Sequence, residues 1–106
     1  DYACPWCYLG HRALCEAMER YTARAAREVR FETAWRSVRL DESIKAKGEE
    51  RTAYHLRALG GEAWAYPLFK RGEAVGASFA DWRWYCNSAR AHQLAEWAVR
   101  EHGGAA

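Results

Sequence analysis

Apolar residues recur at helical spacing directly after a Cys-Pro-Trp-Cys tetrapeptide at residues 4–7. Cys7, Leu14 and Met18 fall on one side of the helical projection, and the charged residues of this segment fall on the other. Pro5 suits the first turn of a helix, because its ring fixes φ and no N–H donor is needed there. The pattern therefore predicts a long amphipathic helix that begins at the tetrapeptide.

A period of two replaces the helical period in the next segment. Val29, Phe31, Thr33 and Trp35 alternate with mostly charged residues, which predicts a strand over residues 29–36 with arginine on its outer face. Only three residues precede the tetrapeptide, so the strand that would pair with this one is expected to be missing from the chain. We therefore expect this segment to be extended with little or no sheet. The structure as a whole should be mostly helical and should expose much apolar surface.

Three further helices are predicted, over residues 49–59, 62–75 and 88–102, and glycines follow the end of each. Asn87 or Ser88 is expected to cap the last of them. Between the last two helices lies an aromatic cluster, which we expect to pack within the helical layer; it consists of Phe79, Trp82, Trp84 and Tyr85.

The tetrapeptide places two thiols at a helix start, where the helix dipole and unpaired N–H groups stabilise a thiolate. The pKa of such a cysteine is expected below the value of roughly 8.5 for a free thiol. A thiolate attacks a disulfide, and the second thiol can resolve the mixed disulfide. Cys4 and Cys7 are therefore candidate catalytic residues. Pro5 and Trp6, which lie between them, are predicted to set the reduction potential and to contact the substrate.

A zinc site is the metal-binding alternative for the same segment. His11 and Cys15 follow Cys7 at intervals of four residues, so these ligand types share one side of the helix. That side is also the apolar face of the helix. A packed cysteine and a hydrogen-bonded histidine explain the pattern without a metal.

Composition narrows the possible partners. The chain has 106 residues and a net charge of only +2, from 16 Lys and Arg against 14 Asp and Glu. A basic surface for nucleic acid is therefore poorly supported, although arginines lie near the aromatic cluster. No apolar run is long enough to span a bilayer. The length fits one domain.

Three sequence blocks carry a family resemblance. They are Asp-x-x-Cys-Pro-Trp-Cys-Tyr-x-Gly at residues 1–10, Trp-Arg with a following leucine at 35–40, and Asn-Ser-Ala-Arg-Ala-His at 87–92 with a continuing helical pattern. In this order they resemble the FrnE-like branch of the DsbA family of thioredoxin-fold oxidoreductases. The resemblance implies an α/β thioredoxin-like fold with a helical insertion. Residues 1–40 would form a partial βαβ unit, and residues 41–106 the insertion.

The same resemblance implies roles for individual residues. Cys4 would be the nucleophile, Cys7 the resolving cysteine, and His92 a polar group near the active-site cleft that contacts substrate. A histidine that bonds a loop carbonyl is the alternative for His92. The family also has a cis-proline loop that faces the cysteines. Neither Pro5 nor Pro67 matches that loop, so the first strand and the cis-proline half of the core are expected to be absent.

The function predicted from the sequence is thiol–disulfide exchange by an enzyme of the DsbA family. Its partners would be thiols and disulfides of proteins or small molecules, with no cofactor, no metal, no nucleic acid and no membrane. FrnE-like relatives are commonly cytoplasmic, which suggests that compartment. The alternatives are a glutathione-dependent isomerase, similar to the 2-hydroxychromene-2-carboxylate isomerases, and a small zinc-binding module. Cys15 and Cys86 are expected to be structural thiols, and their pairing stays open.

Overall fold

The computed structural model of the chain describes residues 1–79 and 81–103. Within these ranges the fold consists of four helices and one small antiparallel sheet. The sheet pairs Glu49 with Tyr85 and Glu50 with Trp84. In chain order the elements are α1 (Pro5–Arg24), β1 (Glu49–Glu50), α2 (Arg51–Leu59), α3 (Ala65–Ala74), β2 (Trp84–Tyr85) and α4 (Ala89–His102).

The predicted helices are present, and their ends follow local chemistry. Pro5 is the first residue of α1. Helix α2 ends at Gly60, which adopts the left-handed conformation with φ of 77° and donates its N–H to His55 O. Pro67 lies in the first turn of α3, where the missing N–H is not needed. The side chain of Asn87 accepts a hydrogen bond from Ala89 N at 3.1 Å at the start of α4, so one of the two predicted caps is used.

The strand predicted over residues 29–36 is not formed, whereas the expectation of little or no sheet there is confirmed. No residue between 25 and 48 belongs to a helix or a strand. Phe31 and Trp35 are 44% and 59% exposed. Apolar alternation favours a strand only when a neighbouring strand supplies the ladder hydrogen bonds. In the described part of the chain the two strands that do pair lie elsewhere, so the segment stays irregular and exposes its aromatic rings.

Two small clusters form the core. In one, Leu9 of α1 packs with Leu68 of α3 and with Ala77; in the other, Ile44 packs with Tyr54 of α2 and Tyr85 of β2. Trp82 borders both clusters. The aromatic cluster predicted from the sequence is therefore largely a packing element, except that Trp84 is 52% exposed.

An ion pair between the exposed Arg57 and the buried Glu49 joins β1 to α2. Two guanidinium nitrogens of Arg57 donate to the carboxylate of Glu49, with Nε to Oε1 at 2.9 Å and Nη2 to Oε2 at 2.6 Å. Lys45 N also donates to Glu49 Oε2 at 3.2 Å. The hydrogen bonds from Arg57 hold the pKa of Glu49 below its ordinary value of 4.5. The two-residue strand β1 is thus held in place by the Glu49 side chain as well as by its backbone pairing with β2.

This pair predicts a dependence of stability on pH. Because the pKa of Glu49 is lower in the folded state, its stabilisation is complete above the unfolded value and is lost as pH falls through the folded value. Arg57→Gln should lower the free energy of unfolding at pH 7 and flatten its decline below about pH 4.5. Urea unfolding at pH 7, 5, 4 and 3 measures both effects.

The matched control is Arg20→Gln on α1. Arg20 binds Glu16 on the surface, and its side chain is 70% exposed. Exposed pairs contribute little, so this variant should follow the wild-type pH profile. Equal profiles for the Arg57 and Arg20 variants would contradict the assignment of the acid sensitivity to Glu49.

Candidate active site

The tetrapeptide occupies the beginning of α1. Cys4 is the N-cap, with extended φ and ψ of −94° and 115°, and Cys7 is the third residue of the helix. The carbonyl oxygen of Cys4 accepts hydrogen bonds from Cys7 N at 3.1 Å and Tyr8 N at 3.3 Å. Both cysteines are free thiols and half-buried, and the Cys7 side chain lies close enough to Cys4 to raise its pKa. The two sulfurs are therefore neighbours at a helix N-terminus, as the spacing predicts.

The electrostatics of Cys4 differ from the expectation. The backbone N–H groups of Cys7 and Trp6 lower its pKa, as a helix start should. Burial raises the pKa of Cys4 more strongly, and the neighbouring Cys7 side chain raises it further. The prediction of a lowered pKa for Cys4 is thus wrong in direction. The reason is that half-burial removes water from the thiolate, and this effect outweighs that of the nearby backbone N–H groups.

Trp6 and Pro5 separate the two thiols, and both are half-buried. The indole of Trp6 packs against the cluster of Leu9, Leu68 and Ala77. The guanidinium of Arg71 on α3 lies 5.6 Å from its ring centroid. Trp6 therefore anchors the start of α1 to α3. The part of its ring that stays exposed is the surface available for the predicted contact with substrate.

The carboxylate of Asp1 is the organising group that the sequence did not reveal. Its side chain is only 3% exposed. Oδ1 accepts from Ala3 N at 3.0 Å and Ser88 Oγ at 2.7 Å, and Oδ2 accepts from Leu40 N at 2.8 Å. The carbonyl of Asp1 also accepts from Cys4 N at 3.2 Å. Asp1 thereby links the turn before Cys4 to residue 40 and to the start of α4. The motif contains this aspartate, but its spacing gives no sign of these partners.

His92 reaches the motif through Asp1. Its Nε2 lies 3.1 Å from Asp1 Oδ1, and its ring centroid lies 4.7 Å from that of Tyr2. Because burial lowers the pKa of His92, the ring is neutral near pH 7, and its Nε2–H donates to the carboxylate. The observed partner is thus a carboxylate beside the tetrapeptide. Nδ1 is buried and has no hydrogen-bond partner.

The other cysteines do not complete a metal site. Sγ of Cys15 lies 3.9 Å from the ring nitrogens of His11, and the His11 ring packs edge-on against Trp35 at 5.2 Å. Cys86 is exposed and Cys15 half-buried, and both are free. Over residues 1–79 and 81–103, no three His, Cys, Asp or Glu side chains are grouped to bind a metal. The structure therefore offers the zinc alternative no ligand set in these ranges.

The same ranges contain no helix that is both long and apolar enough to cross a membrane. Comparison with curated proteins and with solved structures found no significant match. A protein-family comparison, in contrast, matches the DSBA-like thioredoxin domain over residues 1–105. The mostly helical structure with a small sheet is consistent with part of that α/β fold. The chain therefore belongs to the family of DSBA-like thioredoxin domains, which indicates a function of the thiol–disulfide oxidoreductase type or a related one.

Proposed function

We propose that the protein catalyses thiol–disulfide exchange through Cys4 and Cys7. The observation that carries this proposal is the pair of free, half-buried thiols at the N-terminus of α1 in a DSBA-like domain. Cys4 is the nucleophile, because it is the N-cap of α1, where the backbone N–H groups of Cys7 and Trp6 act to lower its pKa. Cys7 is the resolving cysteine. Its backbone N–H donates to Cys4 O, and this hydrogen bond fixes the relative position of the two residues.

In the first step the Cys4 thiolate attacks one sulfur of a substrate disulfide, and the second substrate sulfur leaves as a thiolate and takes a proton. The Cys7 thiolate then attacks Cys4, releases the first substrate sulfur and leaves a Cys4–Cys7 disulfide. Two electrons have passed from the protein to the substrate. The same steps run in reverse when a substrate dithiol reduces the Cys4–Cys7 disulfide.

The finer assignments rest on the sequence motifs. We place the protein in the FrnE-like branch, with residues 1–40 as the thioredoxin-like unit and 41–106 as the helical insertion. Protein or small-molecule thiols and disulfides are its partners, in the cytoplasm. Pro5, Trp6 and His92 border the substrate. The isomerase alternative is weaker, since those enzymes usually carry serine at the position of Cys4.

Trapping the mixed disulfide tests this proposal. In a background with Cys15→Ser and Cys86→Ser, the protein is reduced, treated with oxidised glutathione and analysed by intact mass and peptide mapping. Cys7→Ser should accumulate one glutathione on Cys4, because the resolving thiol is absent. The parent with both Cys4 and Cys7 should instead lose two hydrogens and carry no glutathione. An unmodified Cys7→Ser variant, or a parent that keeps the adduct, would refute the assigned roles.

A further inference from the structure

A buried carboxylate lies directly before the tetrapeptide. The side chain of Asp1 is 3% exposed. Its Oδ1 accepts from Ala3 N at 3.0 Å, Ser88 Oγ at 2.7 Å and His92 Nε2 at 3.1 Å. Its Oδ2 accepts from Leu40 N at 2.8 Å. A carboxylate is costly to bury unless donors bind it, and these donors hold both oxygens in one orientation.

Ser88 at the start of α4 is one of the two side chains that bind this carboxylate. It occupies the N-cap position of α4, where a serine side chain usually accepts a bond from the first turn, yet it caps nothing there. Its hydroxyl donates to Asp1 instead, and Ser88 is buried at 6% exposure. Asn87 accepts the bond from Ala89 N. The start of α4 is therefore organised around Asp1.

His92, one turn into α4, is the other side chain. The ring is neutral near pH 7, because burial lowers the pKa of His92, and its Nε2–H donates to Asp1. Its Nδ1 is buried and has no hydrogen-bond partner in the described part of the chain. The bond to Asp1 and the contact with the ring of Tyr2 therefore orient the imidazole. Asp1, Ser88 and His92 together are called the Asp1 cluster below.

Polar bonds, more than packing, attach α4 at this point. Neither core cluster includes a residue of α4. Within residues 1–79 and 81–103, α4 packs against no other helix or strand. A bond further along α4, from Ser37 N to Glu96 Oε1, is exposed and 3.4 Å long. The Asp1 cluster is therefore the buried link between α4 and the segment before the tetrapeptide.

Asp1 also binds the backbone that leads to Cys4. Its carbonyl oxygen accepts from Cys4 N at 3.2 Å, and its carboxylate accepts from Ala3 N, so one residue holds two consecutive amides. The carbonyl of Cys4 accepts in turn from Cys7 N at 3.1 Å. These hydrogen bonds run without a gap from α4 through Asp1 to the tetrapeptide. They fix the backbone from which the two thiols project.

We propose that the Asp1 cluster positions Cys4 for the closing step of the exchange, in which Cys7 attacks the mixed disulfide. The proposal rests on the function assigned above to the two cysteines. In this step the Cys7 thiolate bonds to Cys4 Sγ, the bond from Cys4 to the substrate sulfur breaks, and that sulfur leaves as a thiolate and takes a proton. Groups held on a fixed backbone react at a high effective concentration, which a loosened turn before Cys4 lowers. The members of the cluster are positioning residues, since they act through that turn.

A rapid-quench experiment with oxidised glutathione separates attack from closing. The full chain with Cys15→Ser and Cys86→Ser is reduced, mixed with several concentrations of oxidised glutathione at pH 7, quenched in acid at successive times and analysed by intact mass. The glutathione adduct rises as Cys4 attacks and falls as Cys7 closes the disulfide. Asp1→Ala should lower the closing rate, relative to the rate of adduct formation, about tenfold.

His92→Leu and His92→Gln are a matched pair. The two new side chains are similar in size, but only glutamine can donate a hydrogen bond to Asp1. His92→Leu should slow closing about fivefold, and His92→Gln should restore most of the wild-type rate. Such a rescue follows the hydrogen bond and not the volume of the side chain.

Arg57→Gln controls for a loss of stability alone. Arg57 binds Glu49 and Ser43, so its replacement weakens the fold without removing a bond of the Asp1 cluster. The proposal requires wild-type closing in this variant. Equal slowing in Arg57→Gln and Asp1→Ala would overturn it, and so would wild-type closing in Asp1→Ala. Should Asp1→Ala fail to fold by circular dichroism, the His92 pair decides, and equal closing rates in that pair overturn the proposal.

The outcome can be told apart from failure of the proposed function. If Cys4 is not the redox nucleophile, peptide mapping finds no transient glutathione on Cys4 in the chain with an intact Asp1 cluster. If only the positioning role is wrong, glutathione is attached to Cys4 and is released at the same rate in every variant.

Discussion

Replacing Cys4 by serine is expected to lower dithiol oxidation or insulin reduction at least about a thousandfold. A serine hydroxyl is not ionised at neutral pH and cannot form a mixed disulfide, so neither half of the exchange proceeds. The initial rate with wild type and Cys4→Ser at equal concentration measures the loss. The variant should fold normally, because the Cys4 side chain makes no capping hydrogen bond to α1.

Cys15→Ser is the matched control for this substitution. Cys15 lies on the same helix, is half-buried like Cys4 and is equally free, but it lies about three turns further along α1. Its replacement should leave the rate within about twofold, since no step of the exchange uses it. Unchanged turnover in Cys4→Ser would remove Cys4 from the mechanism.

The second large effect concerns stability. Leu68→Ala on α3 should lower the free energy of unfolding by about 3 kcal/mol, because a fully buried leucine leaves a cavity when truncated. Leu68 joins Leu9 of α1 to Ala77 in the first core cluster, and Trp6 packs against the same group. Urea unfolding followed by circular dichroism gives the difference.

Leu56→Ala on α2 provides the comparison, since Leu56 is 71% exposed and its truncation should change stability by less than about 0.5 kcal/mol. Similar losses in the two variants would show that Leu68 is not a core residue. Because Trp6 packs against the same cluster, Leu68→Ala should also loosen the anchoring of the dithiol.

Local signals explain why the helices could be predicted. Pro5 at the first position of α1, Gly60 after α2 and Asn87 before α4 each act on the neighbouring backbone. The helix ends can therefore be predicted from a few adjacent residues. The conformation of residues 29–36 could not be predicted from such local signals. Their alternation is genuine, but a strand depends on a partner, and no partner can be read from the segment itself.

The candidate site could likewise be predicted only in its local features. The neighbouring thiols at the helix start follow from spacing alone, but the direction of the Cys4 pKa does not, because burial depends on contacts between distant segments. The role of Asp1 was missed for a related reason. Its carboxylate bonds Leu40, Ser88 and His92, which lie 39, 87 and 91 residues away along the chain.

The shared carboxylate of Asp1 has a consequence for how the molecule opens. It holds amide groups of Ala3 and Leu40 and the hydroxyl of Ser88, so it ties together three stretches that lie far apart along the chain. In deuterated water, the amide of Leu40 should exchange slowly for a residue in irregular backbone, and in step with that of Ala3. The turn before the dithiol helix and the irregular segment around Leu40 then behave as one cooperative unit. Both open together when the hydrogen bonds to the Asp1 carboxylate break.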